Sequence, residues 1–367
     1  MRFLMLNWRD PGNPLAGGAE RVSLGYLSAL VERGHTVLWF ANEFPGCEPT
    51  AEFGGVKVVR GGGVGSSILK AWRWTKAQAP FDLVIDQHHG IPWFAPWWSG
   101  ARSIAYIHEV LGPIWGSFYR PPLAWLGRLQ ESIVIRCYRA IPFWSACPST
   151  EKALRNLGVR EVTLIPYGVA TQALPTLPDK RIDGAISLIV VSRLAPNKRI
   201  DHAIRCVAVL RERGCAVSLK VVGDGETKGK LEHLVTELGL TEQVEFMGLL
   251  SEEDKDRELA AAHLLLHSSV REGWGLNVIE ANCMGTPAVV YPVPGLIEST
   301  LHEATGLVAE RETPEAMADA IQRFYDQDAL YQDCRKAAWR RSAEYHWDVI
   351  LPKACDWLEA QAVGRSE

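Results

Sequence analysis

The chain has 367 residues, 47% hydrophobic and 22% charged, with a formal net charge of -4 at pH 7. That balance describes a globular protein and argues against nucleic acid as a partner, while the length exceeds what one ordinary core of roughly 150 to 200 residues uses, so two domains are expected. Eight scattered cysteines without a CxxC pair suggest neither a disulfide framework nor a zinc site, and no apolar run is long enough to span a membrane, so the expected location is cytoplasmic.

The first half opens with an apolar run from Phe3 to Leu6, a glycine-rich loop, apolar residues at helical spacing from Val22 to Glu32, and a second apolar run from Thr36 to Phe40. Strand, loop, helix, strand in that order means parallel pairing through a right-handed crossover. Further buried-strand candidates are Val56 to Val59, Leu83 to Ile85, Ser103 to Ile107, Phe143 to Cys147 and Thr163 to Pro166. The cluster Gly61-Gly62-Gly63-Val64-Gly65 imitates a dinucleotide fingerprint only in part, because it does not follow the first strand. Pro175, Pro178, Asp179, Lys180 and Gly184 punctuate a polar stretch that predicts an interdomain linker over 173–184.

The second half restarts the rhythm with Ile186 to Val191, a helix from about Arg199 to Arg213, Ser218 to Val222, a helix from about Gly229 to Leu238, and runs at Val244 to Phe246, Leu264 to His267 and Ala288 to Tyr291. Trp347, Ile350, Leu351, Ala354 and Leu358 recur at helical spacing and predict a terminal helix. The expected architecture is α/β, with two Rossmann-like doubly wound domains over 1–172 and 185–343 facing each other across a cleft, and a closing helix over 344–367.

The segment from His267 to Val290 is the most informative. It leaves an apolar strand, passes Glu272, Gly273, Trp274 and Gly275 in a loop, and enters a helix near Leu276 and Asn277. Glycines let a backbone approach a ligand closely, and a helix start offers unpaired N–H groups and a positive dipole end suited to a diphosphate. Glu280, about one turn into the helix, is placed to accept from a ribose diol, and Glu272 to reach a sugar hydroxyl. The residues alone also fit a helix carrying two solvated carboxylates.

This segment resembles the retaining GT-B glycosyltransferases of family four, whose donor site carries two glutamates separated by seven residues in an E-G-[FW]-G-L context; Glu272 and Glu280 match. The resemblance continues in VVSRLAPNKRIDHAI, where it places Arg193 and Lys198 on the donor pyrophosphate, and at Gly223-Asp224-Gly225, a G-x-G loop bordering the base. In the first half, Gly17-Gly18-Ala19-Glu20 resembles the G-G-x-E loop bordering diphosphate and acceptor, and His108 corresponds to a histidine beside the reacting sugar. Glu109 follows where aspartate is common.

The resemblance implies a retaining, metal-independent transferase without a cofactor. Its C-terminal domain would take a UDP- or GDP-sugar and its N-terminal domain a saccharide or lipid-linked acceptor. Arg193 and Lys198 would replace a metal by neutralising the leaving diphosphate, and front-face substitution is implied because these motifs offer no evident carboxylate nucleophile. Alternatives are a catalytically silent nucleotide-sugar-binding partner subunit and a nucleotide-sugar 2-epimerase. Trp93, Trp97, Trp98, Trp115, Trp125 and Trp144 fall in a region also rich in arginine, which suits peripheral contact of the N-terminal domain with the inner face of a membrane; core tryptophans beside a solvated basic face fit the same residues.

Overall fold

A computed structural model describes residues 1–63 and 65–364, so Val64 of the glycine cluster and residues 365–367 of the terminal segment lie outside the described residues. By its contacts the chain divides into two units: Met1–Gly112 with Pro121–Gly168 and the closing residues from Asp348, and Pro113–Arg120 with Val169–Trp347.

The first half of the chain runs β1 (Arg2–Leu6), α1 (Gly18–Glu32), β2 (Thr36–Ala41), β3 (Thr50–Phe53), β4 (Val56–Arg60), α2 (Ser67–Lys76), β5 (Leu83–His88), β6 (Arg102–Ile107), the short α3 (Trp115–Phe118) that groups with the second unit, α4 (Leu123–Cys137), β7 (Phe143–Ser145), α5 (Pro148–Asn156) and β8 (Val162–Leu164). Among the described residues these strands make an eight-stranded sheet, β3-β4-β2-β1-β5-β6-β7-β8, parallel except for the β3–β4 pair. Phe3, Leu4, Met5 and Leu6 are all buried, as a central parallel strand covered on both faces requires. Between β1 and β5 the chain order reverses, so the loops after these strands part and leave a crevice at their carboxyl ends.

A buried carboxylate fastens one of those loops. Asp86 accepts from the backbone N–H groups of Trp93 and Ala95 at 2.8 and 2.9 Å and from the Tyr138 hydroxyl at 2.7 Å. Burial still pushes its pKa up to about 6 against these donors.

The second half runs β9 (Ile186–Val191), α6 (Ile200–Glu212), β10 (Val217–Val222), α7 (Lys228–Glu237), β11 (Val244–Gly248), α8 (Glu252–Ala261), β12 (Leu264–His267), α9 (Leu276–Cys283), β13 (Ala288–Val290), α10 (Leu296–Ser299), β14 (Gly306–Val308), α11 (Pro314–Asp326) and α12 (Asp328–Ser342). Its six strands are parallel in the order β11-β10-β9-β12-β13-β14, with the reversal between β9 and β12. The polar stretch at 173–184 lies along this unit: Leu174 N–H donates to the Cys283 carbonyl, and the buried Arg335 guanidinium donates to the carbonyls of Pro178, Lys180 and Gly285. The chain ends in α13 (Trp347–Val363), whose Asp356 and Glu359 pair with Arg33 in the first unit's group of residues.

Two strands differ from the sequence reading. The four-residue β3 is an edge strand with half its residues exposed, so it carries no apolar run; the short β14, absent from the sequence reading, pairs with β13 over three residues.

Candidate functional site

In the second unit the switch between β9 and β12 brings together the two loops that carry the charged motif residues. After β9, residues 196–198 form a 3₁₀ turn that ends at Arg199, a non-glycine residue with φ 48°. That left-handed conformation is strained, and the Arg199 side chain holds it. Its guanidinium donates to the carbonyls of Ser268 and Ser269 at 2.8 and 2.7 Å, pairs with Glu312 at 2.7 Å and lies over the Tyr291 ring. Arg199 thus sews the loop after β9 to the loop after β12, and Lys198 beside it is carried towards the latter loop.

Lys198 Nζ lies 2.5 Å from Glu272 Oε1, and His267 Nε2, at the last residue of β12, lies 3.6 Å from the same oxygen. Burial alone would raise the Glu272 carboxyl, but the Lys198 ammonium, then His267, and hydrogen bonds from Lys198 and Ser269 hold it below its ordinary range. The His267 imidazole is pushed down to about 4, chiefly by burial, and is neutral near pH 7. Arg193, on the same loop as Lys198, is exposed and has no side-chain partner among the described residues.

Gly275 caps the start of α9 at φ 88°, and a Cβ there would stand 2.9 Å from Ser299 Oγ, so both conformation and space call for glycine. Gly273 and Trp274 are buried in the loop before it; Trp274 packs its ring against Tyr345, and its indole nitrogen is buried without a hydrogen-bond partner among the described residues. Leu276 opens the helix, and Asn277 donates to the Val191 carbonyl at 2.8 Å, tying α9 to the end of β9. Glu280 lies further along the helix and meets Lys255 of α8 at 3.0 Å. Lys255 is almost wholly buried and also reaches Glu252 at 2.6 Å; burial would lower its pKa, but Glu280 and Glu252 hold it above the usual range.

Gly223 and Gly225 follow β10. A Cβ on Gly223 would fall 1.9 Å from the Ser192 carbonyl oxygen, and the Leu194 N–H donates to the Asp224 carbonyl at 2.9 Å. The glycines therefore let this loop lie against the loop that carries Arg193.

In the first unit, Gly17 and Gly18 begin α1, and the Gly17 N–H donates to Glu20 at 2.7 Å. Glu20 is buried and pairs with Arg9 at 3.3 Å, while Asp10 and Arg60 close the preceding loop with hydrogen bonds of 2.7 and 2.8 Å. His108 follows β6, buried, with Nδ1 hydrogen-bonded to the Tyr167 hydroxyl; burial, then the charges of His89 and Arg9, push the ring down to about 3.

The structure thus gathers Lys198, Glu272 and the unforeseen His267 into one cluster, and Glu280 into a second with the unforeseen Lys255. A neutral histidine beside two serines gives little signal in a sequence. Lys255 falls in the charged run EEDKDRE, which reads as a solvated helix face, and only the packing of α8 on α9 buries it. Among the described residues, no group of three or more His, Cys, Asp or Glu is placed to hold a metal ion, and no helix is long and apolar enough to cross a membrane.

Two family models match the chain: Glycosyl transferase 4-like domain over residues 17–168 and Glycosyl transferases group 1 over 178–341. A D-inositol 3-phosphate glycosyltransferase of Streptomyces griseus is 30% identical over 181 residues, which cover 47% of this chain and 38% of that protein. The matched part is therefore under half the length of this relative. Among solved structures, sucrose-phosphate synthase from Thermosynechococcus elongatus superposes with a TM-score of 0.81 at 20% identity, covering 99% of this chain and 100% of the other. HepE from Anabaena, solved in complex with UDP and glucose, gives 0.74 at 18%, covering 98% and 100%. With both halves matched in order along the sequence and both sheets found in the fold, the chain belongs to the GT4-type glycosyltransferases of GT-B fold.

Proposed function

We propose that the chain transfers a hexosyl group, with retention, from a nucleoside diphosphate sugar to a hydroxyl of a saccharide or lipid-linked acceptor. The observation that carries this reading is the Lys198–Glu272 pair at 2.5 Å, held beside the start of α9. Lys198, Arg193 and the first N–H groups of α9 would receive the diphosphate and stabilise the charge that grows on it as the glycosidic bond breaks. Glu272, kept ionised by Lys198, would accept from sugar hydroxyls, and Glu280 from the ribose. In front-face substitution the departing phosphate oxygen takes the acceptor proton, and no side chain attacks the anomeric carbon. UDP- and GDP-sugars with simple saccharide acceptors, with the product's anomeric configuration read by NMR, test this. A product of unchanged configuration is expected, and an inverted one overturns the mechanism. Donor binding without any turnover would favour the silent partner subunit.

The lipid-linked acceptor is favoured by α4. Of the tryptophans in this region, Trp93 and Trp144 are core residues, which removes them from any membrane argument. Trp125 with Leu123, Leu126, Leu129 and Ile133 lines α4 instead, between 48% (Leu129) and 68% (Trp125) exposed. Arg128, Arg136 and Arg139 are exposed around this face, while Glu131 is buried and accepts from the N–H groups of Leu111 and Gly112. An apolar helix face flanked by these cations suits an anionic bilayer surface.

A further inference from the structure

The surroundings of His108 bear on which proton-transfer role its ring can take. Nδ1 of this ring meets the Tyr167 hydroxyl, and Nε2 is buried with no hydrogen-bond partner among the described residues. The neutral ring carries one proton for two nitrogens, so the partner of one nitrogen decides the state of the other. Burial pushes the Tyr167 phenol well above its usual range, so it keeps its proton. The Tyr106 hydroxyl, the other polar group near Tyr167, makes no hydrogen bond among the described residues, so the unprotonated nitrogen of the neutral ring is the acceptor within reach of the Tyr167 O–H; this directs the Tyr167 proton to Nδ1 and leaves the ring proton on Nε2. The Tyr26 hydroxyl donates to the carbonyl of Pro166, the residue before Tyr167, at 3.0 Å, and Tyr106 lies against His108 with ring centroids 4.7 Å apart while stacking on Trp144.

We infer that Tyr167 is a positioning residue that fixes His108 as the Nε2–H tautomer, making the histidine a hydrogen-bond donor to an oxygen of the bound sugar or acceptor and not the base that takes the acceptor proton. The inference rests on the proposed transfer reaction, in which the leaving phosphate oxygen already takes that proton. It also accounts for a buried N–H left without an acceptor in the free protein, since such a group otherwise costs stability for no return.

The test is nitrogen NMR of the full chain labelled in its histidine rings at pH 7, with the His108 resonances identified by their loss in His108→Gln. A protonated Nε2 and an unprotonated Nδ1 are expected. In Tyr167→Phe the tautomers should mix, with kcat/KM lowered roughly tenfold, the effect of one orienting hydrogen bond. A proton on Nδ1, a charged ring, or a tautomer unmoved in Tyr167→Phe overturns the inference. The resonances are read on the free wild-type chain and need no turnover. Failure of every nucleotide sugar to react therefore counts against the transfer reaction alone, whereas active enzyme with a protonated Nδ1 counts against the role given to Tyr167.

Discussion

Lys198 Nζ and Glu272 Oε1 sit 2.5 Å apart, so in the free protein the cation assigned to the diphosphate already neutralises the carboxylate assigned to the sugar. Binding of an anion must draw Lys198 partly away and leave Glu272 to the sugar hydroxyls. Glu272→Gln should therefore leave binding of the bare nucleoside diphosphate intact or tighter, since Lys198 loses its competitor, while transfer falls by about 10²-fold. Calorimetry with UDP and GDP beside initial rates checks this; loss of diphosphate binding would contradict it.

Lys255, which is buried, and Glu280, which is half-buried, pair at 3.0 Å. Breaking a buried pair on one side costs about 3–5 kcal/mol, an upper bound here because the Glu280 carboxylate left behind keeps some contact with water. Lys255→Met should lower the urea midpoint accordingly, and Lys255→Met with Glu280→Gln should recover most of it. Donor KM should stay raised in the double variant, because the ribose contact proposed for Glu280 is still missing. Full recovery of KM would show that Glu280 is structural only.

Acid should destabilise the chain early. Burial holds His88 and His108 near pKa 3 and His267 near 4, all below the ordinary histidine value of about 6.5. The unfolded chain binds these protons first, so stability present above about pH 6.5 is lost as pH falls towards 4, by up to about 1.4 kcal/mol per pH unit for each ring. Asp86, raised to about 6, acts oppositely between about pH 6 and 4, because there the folded state binds the extra proton. Three groups outweigh one. Urea midpoints at pH 7.0, 6.0 and 5.0 should fall steadily, and a flat profile would contradict the buried neutral histidines.

The exposed face of α4 predicts association with anionic vesicles. Sedimentation with phosphatidylglycerol vesicles should show binding that weakens with salt and is lost in Trp125→Ser with Leu129→Ser, while acceptor-independent donor hydrolysis is unchanged. Equal binding to neutral vesicles, or none at low salt, removes the membrane reading.

Much of the fold was legible because central parallel strands are buried on both faces and so read as unbroken apolar runs, as Phe3 to Leu6 and Ile186 to Val191 do. The edge strand Thr50–Phe53 has no such run, and its register depends on a neighbour that the sequence does not display. The motif glutamates were visible through their spacing across the loop after β12 and the first turns of α9, and Lys198 through the separate motif that follows β9. Their partners were not. Lys255 is buried by a helix contact, His267 by its place at a strand end, and Tyr167 meets His108 from 59 residues away. Burial likewise separates Trp93 and Trp144, which fill the core, from Trp125, which does not.

The most direct measurement of the central claim is the rate of sugar transfer in excess EDTA for the wild-type chain and for Lys198→Ala, with folding of both confirmed by melting. A wild-type rate indifferent to EDTA and a Lys198→Ala rate lower by about 10²- to 10³-fold are predicted, since in the proposed reaction Lys198 would stabilise charge that a metal would otherwise stabilise. Transfer abolished by EDTA, or an undiminished rate in Lys198→Ala, would contradict the account.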